Sequence, residues 1–188
     1  MDNLNAALSY AKRNWHVVPV FAASGGKCGC ADPLCKSPGK HPLTNGGWQD
    51  GTTDQQALKS WWTKWPDANI GVSCLQSGLM VLDVDPRHDG RTTLAKLIKV
   101  HGALPETIHQ RSGGGGDHYL FKLPAGQEHG RVLGPGLELK TRCFVIVEPS
   151  QHVSGKKYQW SLERHPDRTA IADLPEWLHM PNNLTAVE

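Results

Sequence analysis

An apolar run in the middle of the chain ends in two aspartates separated by one residue. Asp83 stands inside the run GLMVLDV, and Asp85 follows it directly, ahead of Pro86. Alternate residues of a β-strand point to the same face, about 7 Å apart, so the two carboxylates should project together. Carboxylates this close raise each other's pKa unless a cation lies between them, and Mg²⁺ or Mn²⁺ prefers such oxygen ligands. A strand-end turn is the alternative, since Asp-Pro favours turns, but it leaves Asp83 unexplained.

A second motif is a run of four glycines, Gly113–Gly116, preceded by Arg111 and Ser112 and followed by a strand-like segment that carries His118. Glycines let backbone N–H groups approach a ligand closely, as in phosphate-binding loops. Ser112 would add a hydroxyl, Arg111 a positive charge, and His118 a ring directed at the same ligand. A flexible hairpin connection is the alternative, and no Walker-type Gly-Lys-Ser/Thr follows the glycines.

A third acidic residue, Glu138, alternates with Leu137 and Leu139 and is predicted to lie on one face of another strand. Lys140 and Arg142 follow at the same spacing of two. An acid and two cations on one face suit a metal-bound nucleotide, the acid for the metal and the cations for phosphate. A solvated strand face with Glu–Lys pairing is the alternative. With the Asp pair and the glycine run, these residues match the needs of two-metal phosphoryl or nucleotidyl transfer.

Three cysteines are crowded into eight residues of a Gly- and Pro-rich segment, residues 24–52. The spacing C-x-C-x4-C-x5-H is formed by Cys28, Cys30, Cys35 and His41. Three thiolates and an imidazole make a closed tetrahedral Zn²⁺ site, which is structural and would organise a loop that lacks other support. His16 is the alternative fourth ligand, and reduced surface thiols without a metal are the alternative interpretation.

Periodicity and turn signals predict the elements that position these residues. Thr53 is the predicted N-cap of the second helix, and Gly102 ends the third. The predicted helices cover residues 3–14, 53–65, 91–102 and 174–180. The predicted strands cover residues 15–21, 69–74, 78–86, 107–112, 117–123, two segments within 137–149, and 158–160. Helices and strands are interleaved with hairpin-like pairs, so the fold class is α/β or α+β with a mixed sheet.

The composition sets limits on the function. A chain of 188 residues forms one domain with a single core. Its 20 Lys and Arg against 18 Asp and Glu give a net charge of +2, so bulk charge does not indicate a nucleic-acid partner. The sequence has no apolar run long enough to span a membrane and does not begin like a secretory signal. We therefore expect a cytoplasmic protein without a membrane partner.

The combined motifs resemble the bifunctional primase–polymerase (Prim-Pol) family of the archaeo-eukaryotic primase superfamily. The likeness rests on SGLMVLDVDP, RSGGGGDHYLF, GLELK, EPSQH and YQW, and on GKHP, the WW-containing helix and PDANIGV nearer the N-terminus. It runs from about residue 7 to residue 177. It implies a primase-polymerase fold with an RRM-like catalytic subdomain beside a smaller N-terminal lobe. Two features depart from the family pattern: many relatives carry Asp at the position of Glu138, and the glycine run is one residue wider.

The resemblance implies roles for the candidate residues. The ligands for two Mg²⁺ or Mn²⁺ ions would be Asp83, Asp85 and Glu138, which also form the catalytic centre. The candidate nucleotide-binding residues are Arg111, Ser112, Gly113, Gly114, His118, Lys140 and His152. We expect residues 1–180 to form the catalytic domain, with the zinc-binding loop 24–52 as an insert and residues 181–188 as a tail.

The implied activity is template-directed DNA synthesis from dNTPs or NTPs on a single-stranded DNA template with a primer. Replication of a plasmid, phage or other mobile element would be the setting, with a helicase as a further partner. Two other functions remain open at this point. One is a metal-dependent nuclease or phosphoesterase that uses the same acids. The other is an inactive, zinc-stabilised nucleic-acid-binding module.

Overall fold

The computed structural model describes residues 2–179. Within this range the helices are α1 (Asn3–Lys12), α2 (Gln55–Lys64) and α3 (Gly90–His101). The strands are β1 (His16–Val20), β2 (Ala23–Ser24), β3 (Lys27–Cys28), β4 (Asn69–Ser73), β5 (Leu79–Val84), β6 (Ile108–Arg111), β7 (Asp117–Lys122), β8 (Arg131–Gly134), β9 (Leu137–Lys140), β10 (Phe144–Val147), β11 (Gln159–Trp160) and β12 (Ala172–Asp173). Short 3₁₀ turns cover Gly47–Asp50, Pro86–His88 and Glu176–Leu178.

Two sheets organise the chain. The smaller has the antiparallel order β1-β4-β10. The larger has the order β11-β6-β7-β5-β9-β8, with antiparallel neighbours throughout, and β12 joins it by pairing parallel with β7. Consecutive strands cross between the sheets, because β4 and β10 lie in the smaller sheet whereas β5 and β9 lie in the larger. The fold is therefore α+β.

The strand β5 is apolar on both faces and separates two cores. Leu79 and Val81 face the core shared with α1, α2 and the smaller sheet. Met80 and Leu82 face the core beneath α3 and the C-terminal segment. Because side chains alternate along a strand, Asp83 continues the Leu79–Val81 face and lies at the rim of the first core. The alternation of side chains along β5 therefore places the Asp83 carboxylate at the boundary between the apolar interior and solvent.

The three long helices occur where the sequence predicts them, with ends within two residues of the predicted bounds. The predicted N-cap at Thr53 is wrong. Asp54 caps α2 instead, because its Oδ1 accepts from the N–H of Gln56 at 2.8 Å. The negative charge of the aspartate is also attracted to the positive end of the helix dipole. Gly102, with φ of 96°, ends α3 as predicted.

Other elements differ from the prediction in extent. The predicted C-terminal helix is a single 3₁₀ turn at Glu176–Leu178, and the last residue of that prediction and the predicted tail lie outside the described range. The short strands β8 and β12 were not predicted, and neither was the small β2–β3 hairpin. Over residues 2–179, no helix combines the length and apolarity needed to cross a membrane.

Buried Tyr10 joins α1 to the last third of the chain, and its hydroxyl should be a measurable stability determinant. It donates to the carbonyl of Glu148 at 2.6 Å and accepts from Nε1 of Trp160 at 2.7 Å. Tyr10→Phe leaves the carbonyl of Glu148 and the buried Nε1–H of Trp160 without this partner, so the free energy of unfolding should fall by about 1–3 kcal/mol. Urea denaturation measures this. Tyr119→Phe is the control, because the structure gives that hydroxyl no partner in residues 2–179; equal stability of the two variants would contradict the prediction.

Candidate active site

A cleft of about 330 Å³ opens where β5, β7 and β9 of the larger sheet meet β10 of the smaller one. Seven of the residues predicted from the sequence line this cleft: Asp83, Asp85, Ser112, Gly114, His118, Lys140 and His152. These residues come from four separate segments of the chain, so the fold brings together what the sequence keeps apart.

Asp83 is the centre of a row of side chains that crosses three strands. Its register partners are His118 on β7 and Glu138 on β9, and directly opposite residues share a face of the sheet. Oδ2 of Asp83 lies 2.5 Å from Nζ of Lys140, and Oδ1 lies 3.4 Å from Nε2 of His118. Nζ of Lys140 is also 3.5 Å from Oε2 of Glu138.

The opposite charges of Asp83 and Lys140 each stabilise the ionised form of the other. Burial alone would raise the pKa of Asp83, but the hydrogen bond from His118 and the charge of Lys140 outweigh it and hold that pKa well below its usual range. Burial would lower the pKa of Lys140, but Asp83 and Glu138 outweigh it and raise that pKa. Asp83 is therefore an ionised carboxylate in a largely buried position.

Asp85 follows β5 and caps the 3₁₀ turn Pro86–His88. Its carboxylate accepts from the backbone N–H of Arg87 at 3.0 Å and from the Arg87 side chain at 3.0 and 2.8 Å. Nδ1 of His88 lies 3.0 Å away on the other side. The Arg87 hydrogen bonds are the main reason that the pKa of Asp85 is far below its ordinary value. Arg87 also lines the cleft, which brings a cation beside the second aspartate.

Gln110 fixes the tautomer of His118. Its Nε2 lies 2.7 Å from the carbonyl oxygen of Ile146 and 2.8 Å from Nδ1 of His118. An amide nitrogen can only donate, so Nδ1 accepts and the proton of the neutral ring is on Nε2. That Nε2–H points towards Asp83 and the cleft, where it can donate to an anionic ligand.

The glycine run forms a tight turn whose inner side faces the cleft. Ser112 closes the turn, because its Oγ accepts from the N–H of Gly116 at 2.9 Å; its own hydroxyl hydrogen is then available to a ligand. A Cβ on Gly113 would lie 2.3 Å from Cβ of His152, so glycine is required for the turn to pack against that ring. Burial and the positive charges of Lys40 and Arg87 lower the pKa of His152, which favours a neutral ring.

Three predicted residues lie outside the cleft lining. Arg111 is on the opposite face of β6 from Gln110, with its Nε 3.6 Å from the Asp117 carboxylate. Gly113 contributes packing against His152 and no surface to the cleft. Glu138 is half exposed in an adjoining depression, although it lies opposite Asp83 in the sheet register.

The three carboxylates provide the chemistry that a hard divalent cation requires. Asp83, Asp85 and Glu138 are oxygen donors at one end of the sheet, as Mg²⁺ and Mn²⁺ prefer. Their oxygens are more widely spread than in a closed metal site, since over residues 2–179 only the cysteine–histidine group has three or more ligand atoms within 4.8 Å of one another. The donor set fits such a cation. Lys140, which is paired with Asp83, and Arg87, which is paired with Asp85, would compete with the cation for these carboxylates.

The cysteine–histidine group has the composition of a structural zinc site. The ligand atoms of Cys28, Cys30, Cys35 and His41 all lie within 4.8 Å of one another. Nε2 of His41 is 3.1 Å from Sγ of Cys28 and 3.5 Å from Sγ of Cys35. Burial opposes ionisation of Cys28, but backbone N–H groups of Cys30 and Gly39 outweigh it and lower its pKa to about 6, so the metal-binding thiolate prevails at neutral pH. His16 lies in β1, outside this group.

Three further residues of the site are given no role by the sequence motifs: Arg87, Gln110 and Tyr158. Gln110 alternates with Ile108 on an inward strand face, and an amide at an inward position is a signal for a buried polar partner. Arg87 follows Asp85 at the spacing of a turn. Tyr158, whose pKa burial and the charge of Asp83 raise, carried no signal beyond its aromatic character.

Comparison with known proteins agrees with this geometry. A family model described as "Bifunctional DNA primase/polymerase, N-terminal" matches residues 7–177, a range that contains the whole cleft and the cysteine–histidine group. The chain belongs to the Prim-Pol family. A search of curated proteins gives no match. For a Prim-Pol domain, DNA primase or polymerase activity in general, nucleic-acid and nucleotide substrates and divalent metals are the family's features.

The fourth ligand of the cysteine–histidine group can be tested by metal content. We expect the purified Prim-Pol domain to hold one zinc per chain and His41→Ala to bind zinc more than about tenfold more weakly. Elemental analysis after dialysis against a zinc buffer measures both. His16→Ala is the matched control and should retain the metal; the reverse pattern would make His16 the ligand.

The tautomer of His118 can be read by NMR of its ring nitrogens. We expect the Nε2–H form in the wild type and a mixture of tautomers in Gln110→Leu, because the leucine cannot donate to Nδ1. The ring of His152 is an internal control, since its Nδ1 accepts from the N–H of Ser154 at 3.1 Å in a contact that the substitution does not touch. A wild-type His118 protonated at Nδ1 would refute the assignment.

Proposed function

We propose that this Prim-Pol domain is a template-directed nucleotidyltransferase that extends or starts DNA chains. The observation that carries the proposal is the row of Asp83, His118 and Glu138 across three strands, in which Asp83 and His118 line a cleft that lies within the matched family region. An ionised, largely buried carboxylate beside a fixed imidazole is an arrangement that serves reaction chemistry at a cost to stability.

In the proposed reaction, the 3′-hydroxyl oxygen of a primer or initiating nucleotide forms a bond to the α-phosphorus of an incoming nucleotide. The bond from that phosphorus to the bridging oxygen breaks, pyrophosphate leaves, and the hydroxyl proton passes to solvent. Two Mg²⁺ or Mn²⁺ ions held by Asp83, Asp85 and Glu138 would lower the pKa of the hydroxyl and neutralise charge on the pyrophosphate.

The protein's own groups would bind and orient the triphosphate. Nε2–H of His118 and the hydroxyl of Ser112 can donate to phosphate oxygens, and the glycine turn allows a close approach of backbone N–H groups. Lys140 supplies positive charge while it remains near Asp83. Tyr158 lies with its ring centroid 6.5 Å from that of His118, where it can exclude water from one wall of the cleft.

The proposal also covers the subdomain arrangement and the bounds of the domain. The larger sheet with α3 would be the RRM-like catalytic subdomain, and the smaller sheet with α1 and α2 the N-terminal lobe. Residues 1–180 would form the catalytic domain, with 24–52 as a zinc-binding insert. The replication of a mobile element and a helicase partner rest on the resemblance alone.

Primer extension on templated DNA tests the proposal. Asp83→Asn and Asp85→Asn should each reduce extension with Mg²⁺ or Mn²⁺ by about a hundredfold or more, because each removes a charged metal ligand without changing side-chain size. Asp67→Asn, at an exposed acid that does not line the cleft, is the control and should extend normally. Released pyrophosphate distinguishes polymerisation from the nuclease alternative, in which the DNA shortens. A folded wild type that binds no dNTP would overturn the proposal and favour the inactive binding module.

A further inference from the structure

The cysteine–histidine loop forms part of the wall of the catalytic cleft. Lys40 and Trp48, both from residues 24–52, line the cleft together with Asp83 and Asp85. Sequence order would not bring them there, since more than thirty residues separate Trp48 from Asp83. The loop is therefore an element of the site as well as an insert in the chain.

The backbone on both sides of Lys40 is held by the cysteine–histidine group. The N–H of Gly39 donates to Sγ of Cys28 at 3.3 Å. Gly39 has a φ of 67°, and a Cβ there would lie 2.6 Å from Cβ of Ala23, so this approach needs glycine. On the other side, His41 is itself one of the four clustered ligands.

His41 is also anchored to the smaller sheet. Its carbonyl accepts from the N–H of Phe21 at 3.0 Å, and the two rings lie 4.4 Å apart. Lys40 thus sits between two residues whose positions depend on the ligand cluster, while its own side chain is exposed at the cleft. A metal at the cluster would fix the backbone from which Lys40 reaches the cleft.

The charge pattern of the cleft assigns a ligand class to Lys40. Three lysines or arginines line the cleft: Lys40, Arg87 and Lys140. Arg87 is paired with Asp85 and Lys140 with Asp83. Lys40 has no ion-pair partner within residues 2–179, so its positive charge is available to an anion that enters. Nucleotide phosphates are such an anion, and an ammonium group binds them as a point charge.

We propose that Lys40 contacts the phosphates of the nucleotide in the cleft and that the metal-bound cysteine–histidine group positions it there. This inference rests on the proposed function, since it requires that the cleft binds a nucleotide. The cysteine–histidine group would then contribute to substrate binding by fixing the position of Lys40.

The test is equilibrium binding of a dNTP to the full chain, with Mg²⁺ present throughout. Lys40→Ala should weaken binding about tenfold, the loss of one charge-assisted contact, and Lys40→Arg should retain most of the affinity. Lys36→Ala is the matched control, because Lys36 is exposed on the same loop and does not line the cleft. Removing zinc with a zinc-selective chelator should weaken dNTP binding by the wild type to a similar extent and should add little to Lys40→Ala.

The outcomes distinguish a failure of the Lys40 proposal from a failure of the proposed function. Lys40→Ala with wild-type affinity would overturn the phosphate contact and leave the proposed function standing. Equal affinity of the zinc-loaded and zinc-stripped wild type would overturn the positioning role, as would a second tenfold loss when Lys40→Ala is stripped. A wild type that binds zinc but no dNTP would instead remove the proposed function. Circular dichroism of each sample checks that the loop variants and the stripped protein remain folded.

Discussion

The ionised carboxylate of Asp83 constrains the architecture around the cleft. A carboxylate that leaves water carries a large desolvation cost unless it gains opposite charge and hydrogen bonds. Here the compensation comes from His118 and Lys140, which lie on the strands that flank β5. The sheet order β7-β5-β9 and its register therefore place beside Asp83 the two side chains that stabilise its charge. A slip of one residue would turn His118 to the other face of the sheet and leave the charge unpaired.

The same row also connects the two sheets. Gln110 on β6 donates to the carbonyl of Ile146 on β10, and through the same nitrogen it orients His118. The contact that defines the reactive edge of the histidine is thus also a bridge across the floor of the cleft. Rigid positioning of a small number of polar groups is what the proposed transfer site would need, and here it comes from a backbone-anchored hydrogen bond between the sheets.

The sequence could predict the local elements and the residue types of the site, but not how strands meet. Spacing of two along β5 correctly gave the face of Asp83, and the crowded cysteines pointed to a group that the structure gathers around His41. Arg111 shows the limit: it is next to the glycine run in sequence, yet the pairing of Arg111 with Asp117 places it on the face opposite Gln110 and His118. Pairing register depends on contacts far along the chain, which periodicity within one strand does not contain. For the same reason, the crossing of β4 and β5 into different sheets could not be foreseen.

The two candidate cation-binding groups, the cysteine–histidine group and the three carboxylates, differ in a way that suits their positions. The cysteine–histidine loop has little core of its own, since most of residues 25–40 are exposed and its β2–β3 hairpin has two residues per strand; a hairpin of this size is not stable by itself. Four soft ligands within 4.8 Å can close around a metal and supply that stability. The carboxylates are hard, spread more widely and paired with basic side chains that can exchange partners. In the proposed function, closed thiolate ligation would hold a wall of the cleft in place, whereas exchangeable carboxylate pairing would leave the proposed reacting centre free to bind and release its charged ligands.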